Sequence, residues 1–597
     1  MEENIKDEAA KDNYRQAPKT AVYVCHCGGN ISDVVDVKKV AAEMARYPGV
    51  AVAREYAFMC SSNGQDLIID DIKKLGVNRV VVAACSPSLH ELTFRGVLQR
   101  AGINPYLYEH VNIREQVSWV HKADHEGATA KAVKLTQAGV EKVLRQDPLN
   151  AIRVAAEPRV AVIGGGAAGM KAALAAAGKG LEAVIIEKAP RLGGKLLELG
   201  KVYPSGEQAS SVLKKFEDLV AAEKLITVHT GAEIDFVGGF VGNFKINFKK
   251  SDGGMAQIKA GAVIMATGFE HYKPHKGEFG FGEAANVVTL PDLITLLKNS
   301  PAGRLEYAGK EIKSLALIHC VGSRQIEGVN QPQADGKVND YCSRVCCTSA
   351  LYTANQVKEK YPAVQIYDIY RDIRTYGMRH EDYYEKASKD GVIFFRHAET
   401  DQPIVESARV AHTVKVKDVL TWNEELEIKA DLLVLVTGMM PSDIKFLASQ
   451  MKLAVGADRF LQEVHPKLRP VEAANSGIFI AGTAQAPMDL TETAAAAATA
   501  AAKAAILLAE PDIPLEPFVA VVDEAKCTGC GLCPAECSYE GALMMTEKNG
   551  KKLAQVNPAL CKGCGACVAV CPVRAIDVAG WTLDQFDAMV DAIGKEG

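Results

Sequence analysis

The sequence contains no dense stripe of lysine and arginine and no long uninterrupted apolar run. Its 68 basic and 73 acidic residues are spread along the chain, whereas binding to a phosphate backbone needs clustered cations, so we do not expect a nucleic acid partner. The first residues are polar, and the alanine-rich stretch 493–509 is interrupted by Lys503. We therefore expect a cytoplasmic protein with neither a secretory signal nor a transmembrane segment.

Aromatic and cysteine residues are also few. Aromatic side chains make up 6% of the chain, but hydrophobic residues make up 48%, which is enough for large cores and excludes a mainly disordered chain. The 16 cysteines in 597 residues are too few for a disulfide scaffold. Because cytosolic thiols stay reduced, these cysteines are candidates for metal ligation. The length of the chain predicts about three to five domains.

Half of the cysteines form two identical runs near the carboxyl terminus. Each run has the spacing C-x2-C-x2-C-x3-C. In this pattern the first three thiolates of a run bind one 4Fe–4S cluster, and the fourth binds the cluster of the other run, as in the bacterial two-cluster ferredoxins that this segment resembles. Zinc is the alternative, but zinc sites usually present paired C-x2-C knuckles separated by a long spacer. The predicted ligand sets are Cys527, Cys530, Cys533 and Cys571, and Cys561, Cys564, Cys567 and Cys537.

A glycine-rich turn, GGGAAG at residues 164–169, follows a predicted strand at 159–163. Such a turn lets a pyrophosphate approach the backbone N–H groups at the start of a helix, and Glu187 ends the next strand, where a carboxylate accepts hydrogen bonds from a ribose. The run from Glu187 to Gly194 resembles the FAD form of this fold, as in two-dinucleotide-binding flavoproteins of the thioredoxin-reductase type. A glycine-rich turn of another α/β fold is the alternative. The predicted FAD-binding residues are Gly164, Gly165, Gly166, Ala167, Ala168, Gly169, Glu187, Lys188, Arg191, Gly194, Lys195, Ala266, Thr267, Gly268, Gly482 and Thr483.

A second glycine-rich loop, which such flavoproteins use for a nicotinamide nucleotide, is missing from the sequence. The strand predicted at 314–318 is followed by HCVGSR, which has a single glycine where the phosphate loop is expected. Without closely spaced glycines the pyrophosphate cannot reach the backbone donors, so we do not expect NAD(P)H binding by this chain. The region also has no C-x-x-C pair for disulfide reduction.

The other eight cysteines are widely spaced and form two groups. The first group lies in the region of the missing loop and can bind one cluster only if the backbone bends sharply at its adjacent pair; two structural cysteines and an isolated pair are the alternative. Its members are Cys320, Cys342, Cys346 and Cys347. The second group follows predicted strands, where parallel sheets collect ligands, and buried free thiols are the alternative. Its members are Cys25, Cys27, Cys60 and Cys85.

Several motifs together resemble the A subunit of heterodisulfide reductase and its bacterial relatives over nearly the whole chain. They are VCHCGGNI, AFMCS, VVAACSPSLHELTFR, NPYLYEHVNIREQVSWVHK, the FAD turn, HCVGSR, YCSRVCC and the tandem cysteine runs. The resemblance implies an oxidoreductase component whose redox chemistry resides in FAD and four 4Fe–4S clusters, with no catalytic side chain. It assigns the third cluster to the group that begins at Cys320 and the fourth to the group that begins at Cys25.

The same resemblance implies flavin-based bifurcation or confurcation of electrons between a partner dehydrogenase or hydrogenase, ferredoxin and a disulfide or other acceptor. The implied partners are B- and C-like subunits of heterodisulfide reductase, an electron-input subunit linked to a hydrogenase or an NADH dehydrogenase, soluble ferredoxin and a second copy of the chain. The alternatives are a non-bifurcating relay that feeds a quinone-linked or aryl-CoA-reducing complex, and an assembly subunit with a non-catalytic flavin. An NAD(P)H-dependent flavin oxidoreductase is a further alternative, against which the missing loop argues.

Three departures from the family pattern limit this transfer. No cysteine occurs between Gly194 and Gly261, so the extra ferredoxin-like insert of the methanogen form is not expected. Val117 stands where the family often has cysteine. Tyr352 stands where the family often has lysine near the flavin, and the loop between Cys320 and Cys342 is expanded. The last departure bears on the flavin potential and therefore on bifurcation.

Alternating strands and helices predict a multidomain α/β protein. It combines a thioredoxin-reductase-like two-dinucleotide-binding flavoprotein fold with an amino-terminal α/β domain and a carboxyl-terminal two-cluster ferredoxin-like α+β domain. The predicted strands are 21–25, 79–84, 159–163, 181–187, 262–266, 314–318, 364–367, 432–436 and 478–481. The predicted domains are a polar tail (1–18), the amino-terminal domain with a cluster (19–150), the FAD-binding domain (151–306 and 430–512), an inserted region with a cluster (307–429), the ferredoxin domain (513–580) and a carboxyl-terminal helix (581–597).

Overall fold

The computed structural model describes residues 17–406 and 412–594. The chain divides into two compact units, one made of Met1–Val154 with Pro514–Gly597 and the other of Ala155–Ile513. The predicted polar tail 1–18 lies almost wholly outside the described residues. Across the two described ranges, every helix is too short or too polar to span a bilayer.

The first unit begins with a four-stranded parallel sheet. Its elements are β1 (Thr20–Cys25), α1 (Val37–Ala45), β2 (Val50–Tyr56), α2 (Ser62–Leu75), β3 (Arg79–Ala84), α3 (Pro87–Ala101), β4 (Tyr108–Asn112) and α4 (His125–Leu144), with a π-helical turn at Arg114–Ser118. The strand order is β2-β1-β3-β4. β1 and β3 are rich in valine and alanine and are buried along their whole length, as expected of parallel strands that are covered on both faces. The predicted strands 21–25 and 79–84 are confirmed.

The second unit is built on two larger parallel sheets. Its elements, with the boundary strands β5 and β26, are β5 (Ile152–Ala155), β6 (Arg159–Ile163), α5 (Ala167–Ala177), β7 (Glu182–Ile186), α6 (Ala209–Ala222), β8 (Ile226–His229), β9 (Glu233–Phe240), β10 (Asn243–Lys249), β11 (Met255–Ala260), β12 (Ala262–Met265), β13 (Phe269–His271), β14 (Val287–Thr289), α7 (Leu290–Asn299), β15 (Glu306–Tyr307), β16 (Lys310–Glu311), β17 (Ser314–Val321), α8 (Cys346–Lys360), β18 (Gln365–Tyr370), α9 (Glu381–Lys389), β19 (Ile393–Arg396), β20 (Ile404–Glu406), β21 (His412–Asp418), β22 (Glu424–Ala430), β23 (Leu432–Thr437), β24 (Met439–Pro441), α10 (Lys445–Met451), β25 (Ile478–Ile480), α11 (Leu490–Leu507) and β26 (Asp512–Leu515).

The first sheet of this unit has the order β25-β12-β6-β7-β8 and the second β14-β23-β17-β18-β19, and all their strands are parallel. Two three-stranded antiparallel sheets, β11-β10-β9 and β20-β21-β22, accompany them. Each strand predicted for this unit is present within a few residues of its predicted bounds. The inserted region predicted at 307–429 supplies β17, β18 and β19 to the second sheet, whose other strands flank that region in the sequence. The predicted domain limits stay a prediction.

The alanine-rich stretch near residue 500 forms helix α11, which packs against α5. Both helices bury mainly alanine at this contact, and small side chains let the two backbones approach closely. α11 begins with a capping box, in which the side chains of Asp489 and Glu492 each accept a hydrogen bond from the backbone N–H of the other residue.

The carboxyl-terminal part of the first unit is a small α+β module. Its elements are β27 (Ala520–Val522), α12 (Leu532–Glu536), β28 (Leu543–Lys548), β29 (Lys551–Val556), α13 (Ala566–Ala569), β30 (Ile576–Val578) and α14 (Leu583–Gly594). The antiparallel pairs are β27-β30 and β28-β29. Helix α14 packs on α4, and there the buried Gln585 donates a 2.7 Å hydrogen bond to Gln146. This module therefore shares a compact unit with the amino-terminal domain, from which it is far removed in sequence.

Candidate flavin and iron–sulfur sites

A cavity of about 740 Å³ lies in the second unit, where β6, β7 and β12 end. Ligands in open α/β sheets bind at this edge of the strands. Most of the predicted FAD-binding residues line the cavity: Gly164, Gly166, Ala167, Ala168, Glu187, Lys188, Gly194, Lys195, Ala266, Thr267, Gly268 and Thr483. Four predicted residues lie outside the lining: Gly165, Gly169, Arg191 and Gly482.

The glycines of the turn have different structural tasks. A Cβ added to Gly169 would lie 1.8 Å from the carbonyl oxygen of Gly164, so this glycine allows the helix to pack against the turn. Gly164 has a φ of 109°, and an added Cβ would lie 2.3 Å from the carbonyl oxygen of Ala266. An added Cβ at Gly166 would meet nothing nearer than Gly194 Cα, at 3.9 Å, so the cradle at the start of α5 is open toward the cavity. These features fit a bound dinucleotide pyrophosphate.

The carboxylate of Glu187 is buried at the end of β7. Its oxygens accept hydrogen bonds from the backbone N–H groups of Gly165, at 2.5 Å, and Ala189, at 2.7 Å. Glu187 therefore holds the glycine-rich turn in place. Its predicted role as an acceptor for a ribose hydroxyl stays a prediction.

Helix α8 also lines the cavity, through Cys346, Ser349, Tyr352 and Thr353, and Tyr203 lines it as well. The hydroxyl of Ser349 donates to the phenol oxygen of Tyr203 at 3.5 Å, and the rings of Tyr203 and Tyr352 pack edge to face with centroids 5.8 Å apart. Burial raises the pKa of Tyr203 well above its ordinary value. Local sequence patterns do not indicate the contact between Tyr203 and Tyr352, because the two residues lie about 150 positions apart; only the resemblance to the family drew attention to Tyr352.

The structure brings together the four cysteines Cys320, Cys342, Cys346 and Cys347, which we call the inserted quartet. Cys320 lies near the end of β17, and the adjacent pair begins α8. Cys346 interacts electrostatically with the three other thiols. The pKa of Cys346 is raised above its ordinary value, mainly by hydrogen bonding with Cys347 and secondly by burial. Both adjacent cysteines lie in the first turn of α8, so the sharp bend expected between them is not seen there, and the positive φ of 60° lies two residues earlier, at Arg344. The binding of one cluster by this pair stays a prediction.

The four cysteines Cys25, Cys27, Cys60 and Cys85, which we call the amino-terminal quartet, also converge. Cys25 ends β1, and the other three lie in the loops that follow β1, β2 and β3, whose carboxyl ends meet at one edge because the strands are parallel. Electrostatic interactions connect Cys27 with the other three thiols. Burial raises the pKa of Cys85 to about 12. The guanidinium of Arg114, which the sequence analysis did not select, donates to Cys27 Sγ at 3.1 Å.

The carboxyl-terminal module contains two small cavities with four cysteines each. One is lined by Cys527, Cys530, Cys533 and Cys571, and the other by Cys537, Cys561, Cys564 and Cys567. In each cavity the first three cysteines of one run therefore meet the fourth cysteine of the other run, as the spacing predicts. Backbone N–H groups point at the sulfurs: Ala575 donates to Cys571 at 3.2 Å and Ala520 to Cys561 at 3.3 Å. These features fit 4Fe–4S clusters.

Glycine is required in both cysteine runs of this module. An added Cβ at Gly529 would lie 2.3 Å from the carbonyl oxygen of Lys552, and one at Gly563 would lie 2.1 Å from that of Phe518. Both glycines have positive φ.

Within residues 17–406 and 412–594, no three His, Cys, Asp or Glu side chains are close enough to hold one metal ion.

Two segments match known protein families. Residues 158–299 match the pyridine nucleotide-disulphide oxidoreductase family, and residues 520–578 match the 4Fe-4S dicluster domain. Relatives match over nearly the whole chain. One of the iron-sulfur A subunits of the CoB--CoM heterodisulfide reductase of Methanopyrus kandleri is 36% identical in an alignment of 618 positions, gaps included. The alignment covers 90% of this chain and 92% of the relative. A protein of Archaeoglobus profundus that is named as similar to the A subunit of heterodisulfide reductase is 32% identical over 98% of this chain and 99% of its own length.

The chain belongs to the family of heterodisulfide reductase A subunits. The resemblance inferred from the motifs is thereby confirmed, and the protein is an oxidoreductase, a flavin and iron–sulfur electron-transfer subunit of heterodisulfide reductase. The A subunit of the H(2):CoB-CoM heterodisulfide,ferredoxin reductase of Methanothermobacter thermautotrophicus is a further member, 35% identical over 90% of this chain and 92% of its own length.

The family comparison and the two domain matches agree with the predicted fold class, a thioredoxin-reductase-like α/β flavoprotein with a ferredoxin-like module. Among solved structures, thioredoxin reductase of T. acidophilum is 20% identical, covers 59% of this chain and 97% of its own, and has a TM-score of 0.39. The flavin-binding redox domain and the 4Fe–4S domain are present, as predicted. The ligands of the individual cofactors and the number of clusters stay predictions.

Proposed function

We propose that this protein distributes electrons between one FAD and four 4Fe–4S clusters, and that it bifurcates or confurcates electron pairs. One observation supports the proposal above the others: Cys346 belongs both to the lining of the flavin cavity and to the inserted quartet. When bound, FAD exchanges electrons in pairs or singly, and a 4Fe–4S cluster exchanges them one at a time. The chain therefore connects a two-electron site with a one-electron site through a single side chain.

In this proposal the protein itself carries out no acid, base or nucleophilic step. The open cradle at Gly166 accepts the pyrophosphate, while Glu187 keeps the preceding turn in shape. Tyr203 and Tyr352 line the cavity together with Cys346 and contribute apolar ring surface to it. Apolar surroundings lower the local dielectric constant, so fixed charges near the cavity act more strongly on the potentials of both sites.

The partners proposed are those of the family. They are B- and C-like subunits, an electron-input subunit linked to a hydrogenase or an NADH dehydrogenase, soluble ferredoxin and a second copy of the chain, all in the cytoplasm. The names of relatives mention H(2), formate and ferredoxin, which supports a hydrogenase-linked electron input and ferredoxin among these partners. Electrons from the input subunit would then reach ferredoxin and a disulfide or other acceptor.

A second candidate is a non-bifurcating relay for a quinone-linked or aryl-CoA-reducing complex. Tyr352 favours it, because a neutral ring lines the cavity at a position where the family often has lysine. The two candidates differ in whether reduction of ferredoxin is coupled to reduction of a second acceptor. In the complex with the co-purifying partner subunits, a bifurcating chain reduces ferredoxin only while it also reduces an acceptor of higher potential. A relay reduces its acceptor without ferredoxin.

Anaerobic purification followed by iron, sulfide and flavin analysis tests the cofactor content. We expect about sixteen iron atoms, about sixteen sulfides and one FAD per chain, since each cluster contains four irons. About eight iron atoms per chain would contradict the two clusters outside the carboxyl-terminal module.

A further inference from the structure

The guanidinium of Arg324 lies beside the inserted quartet. It interacts electrostatically with Cys320 and Cys342. One of its nitrogens, Nη2, donates to the carboxylate of Asp372 at 3.0 Å. The other, Nη1, is fully buried and has no hydrogen-bond partner in the described part of the chain. A buried N–H group without an acceptor is unfavourable, so this atom points to an acceptor located next to the cysteines.

The positive charge of Arg324 is only partly neutralised. Asp372 is shared by three arginines: Arg324 and Arg396 each lie 3.0 Å from its oxygens, and Arg374 lies at 3.9 Å. Three cations therefore surround one carboxylate. Helix α8 adds to the positive potential, because its first residues are Cys346 and Cys347 and no side chain caps its amino terminus.

The backbone holds Arg324 in this position at a conformational cost. Cys320 and Arg324 both have positive φ, 62° and 52°, which is unfavourable for residues with a side chain. The backbone N–H of Arg324 donates to the carbonyl oxygen of Tyr341, next to Cys342, at 2.8 Å. The segment that follows β17 and the loop that carries Cys342 are thus joined at Arg324, whose guanidinium interacts electrostatically with Cys320 and Cys342.

We propose that Nη1 of Arg324 donates a hydrogen bond to a thiolate or sulfide of the cluster that the inserted quartet binds, and that this raises the reduction potential of that cluster. The inference rests on the proposed function, because it requires a cluster at these four cysteines. Reduction adds one electron to the cluster and makes or breaks no bond. Since the reduced cluster has one more negative charge, a nearby buried cation stabilises it more than the oxidised cluster. Arg324 is therefore a positioning residue that makes this site a better electron acceptor for the flavin.

A redox titration of the full-length protein, followed by electron paramagnetic resonance, tests the inference. The signal of this cluster is first assigned as the one that Cys320→Ser removes. In Arg324→Gln we expect its reduction equilibrium to shift about tenfold toward the oxidised state, which is a midpoint about 59 mV lower for a one-electron couple. Arg324→Lys keeps the charge but loses the second donor, so a smaller decrease is expected. Arg304→Gln, an exposed arginine of the same unit that pairs with Glu311 and not with Asp372, is the control and is expected to leave the midpoint unchanged.

The outcomes separate the inference from the proposed function. An unchanged midpoint in Arg324→Gln, with full iron content, overturns the inference and leaves the cluster in place. If Arg324→Gln loses this cluster, Arg324→Lys decides: a lower midpoint supports the inference, and an unchanged one overturns it. If Cys320→Ser removes neither iron nor a signal, there is no cluster at the inserted quartet, and both proposals fail.

Discussion

Nη1 of Arg114 lies 3.1 Å from Sγ of Cys27 and donates a hydrogen bond to it. The same guanidinium is held by Glu115 at 2.7 Å and lies 4.8 Å from the ring centroid of Trp119. Two further contacts thus fix the arginine beside the thiol. A sulfur ligand of a negatively charged cluster accepts a charge-assisted hydrogen bond of this kind, so Arg114 is placed to stabilise a cluster bound through Cys27.

Replacing Arg114 is expected to weaken the amino-terminal cluster. A hydrogen bond to a charged group contributes about 1.5–3 kcal/mol, so Arg114→Met should speed loss of iron from this site to a chelator by about tenfold or more. Arg100→Met, on the exposed side of α3, is the control. The measurement is the rate of iron release under anaerobic conditions, and equal rates in both variants would contradict the role of Arg114.

The two glycines of the FAD turn are expected to respond differently to alanine. Gly169→Ala places a Cβ 1.8 Å from a carbonyl oxygen, so it should lower the free energy of unfolding by about 1–3 kcal/mol and also weaken FAD binding. The Cβ of Gly166→Ala would have Gly194 Cα, at 3.9 Å, as its nearest neighbour. The free energy of unfolding of the apoprotein should therefore stay within about 0.5 kcal/mol of the parent, while FAD binds at least tenfold more weakly.

Urea unfolding of the apoproteins and fluorescence titration with FAD give both quantities for the glycine variants. FAD binding by Gly166→Ala with the affinity of the parent would show that the pyrophosphate does not occupy this cradle.

NADH is not expected to reduce the flavin of this chain directly. Besides the missing glycines, the ring of Tyr272 occupies the space at Gly322, where an added Cβ would lie 1.9 Å from its Cγ. The position equivalent to a nucleotide loop is therefore filled by a side chain. Stopped-flow mixing of the isolated chain with NADH should show no rapid bleaching of the flavin absorbance, and fast bleaching would refute this prediction.

Acid is expected to weaken an ion-pair group that involves helix α11. Burial alone would raise the pKa of Glu472, but hydrogen bonds from Lys503 and Arg469 lower it below 4.5. The native state thus binds fewer protons than the unfolded state, so this stabilisation is complete above about pH 4.5 and is lost as the pH falls below it. Glu472→Gln should lower the free energy of unfolding at pH 7 and reduce its decline in acid.

Urea unfolding at pH 7 and at pH 4 measures this effect, with the exposed Glu510→Gln as control. The same decline in acid for Glu472→Gln and the parent would contradict the prediction. The ion pair also gives a structural reason for Lys503, the charge that interrupts the alanine-rich stretch.

Much of the fold follows from local patterns in the sequence. The apolar runs 79–84 and 432–437 form strands that are buried along their whole length, because a parallel strand covered on both faces needs apolar side chains at every position. The grouping of the carboxyl-terminal cysteines was also predictable, since in two runs with this spacing the fourth cysteine of each run joins the first three of the other. Cys571 accordingly joins the cavity of the first run.

The contacts between distant segments could not be predicted. Arg114 and Cys27 are 87 positions apart, and Arg324 meets Asp372 from 48 positions away, so no local pattern connects them. Nor does the sequence indicate that the carboxyl-terminal module shares a unit with the amino-terminal domain, a contact made by α14 on α4. Such contacts depend on tertiary packing, which periodicity and motif spacing do not report.

The iron and flavin content of Cys346→Ser is the sharpest test for a cluster next to the flavin, because this cysteine lines the flavin cavity and belongs to the inserted quartet. We predict that iron falls from about sixteen to about twelve atoms per chain, the loss of one 4Fe–4S cluster, while FAD stays at one. Ser349→Ala, one turn further along the same helix, should retain all of the iron. An unchanged iron content in Cys346→Ser would contradict the claim that a cluster adjoins the flavin.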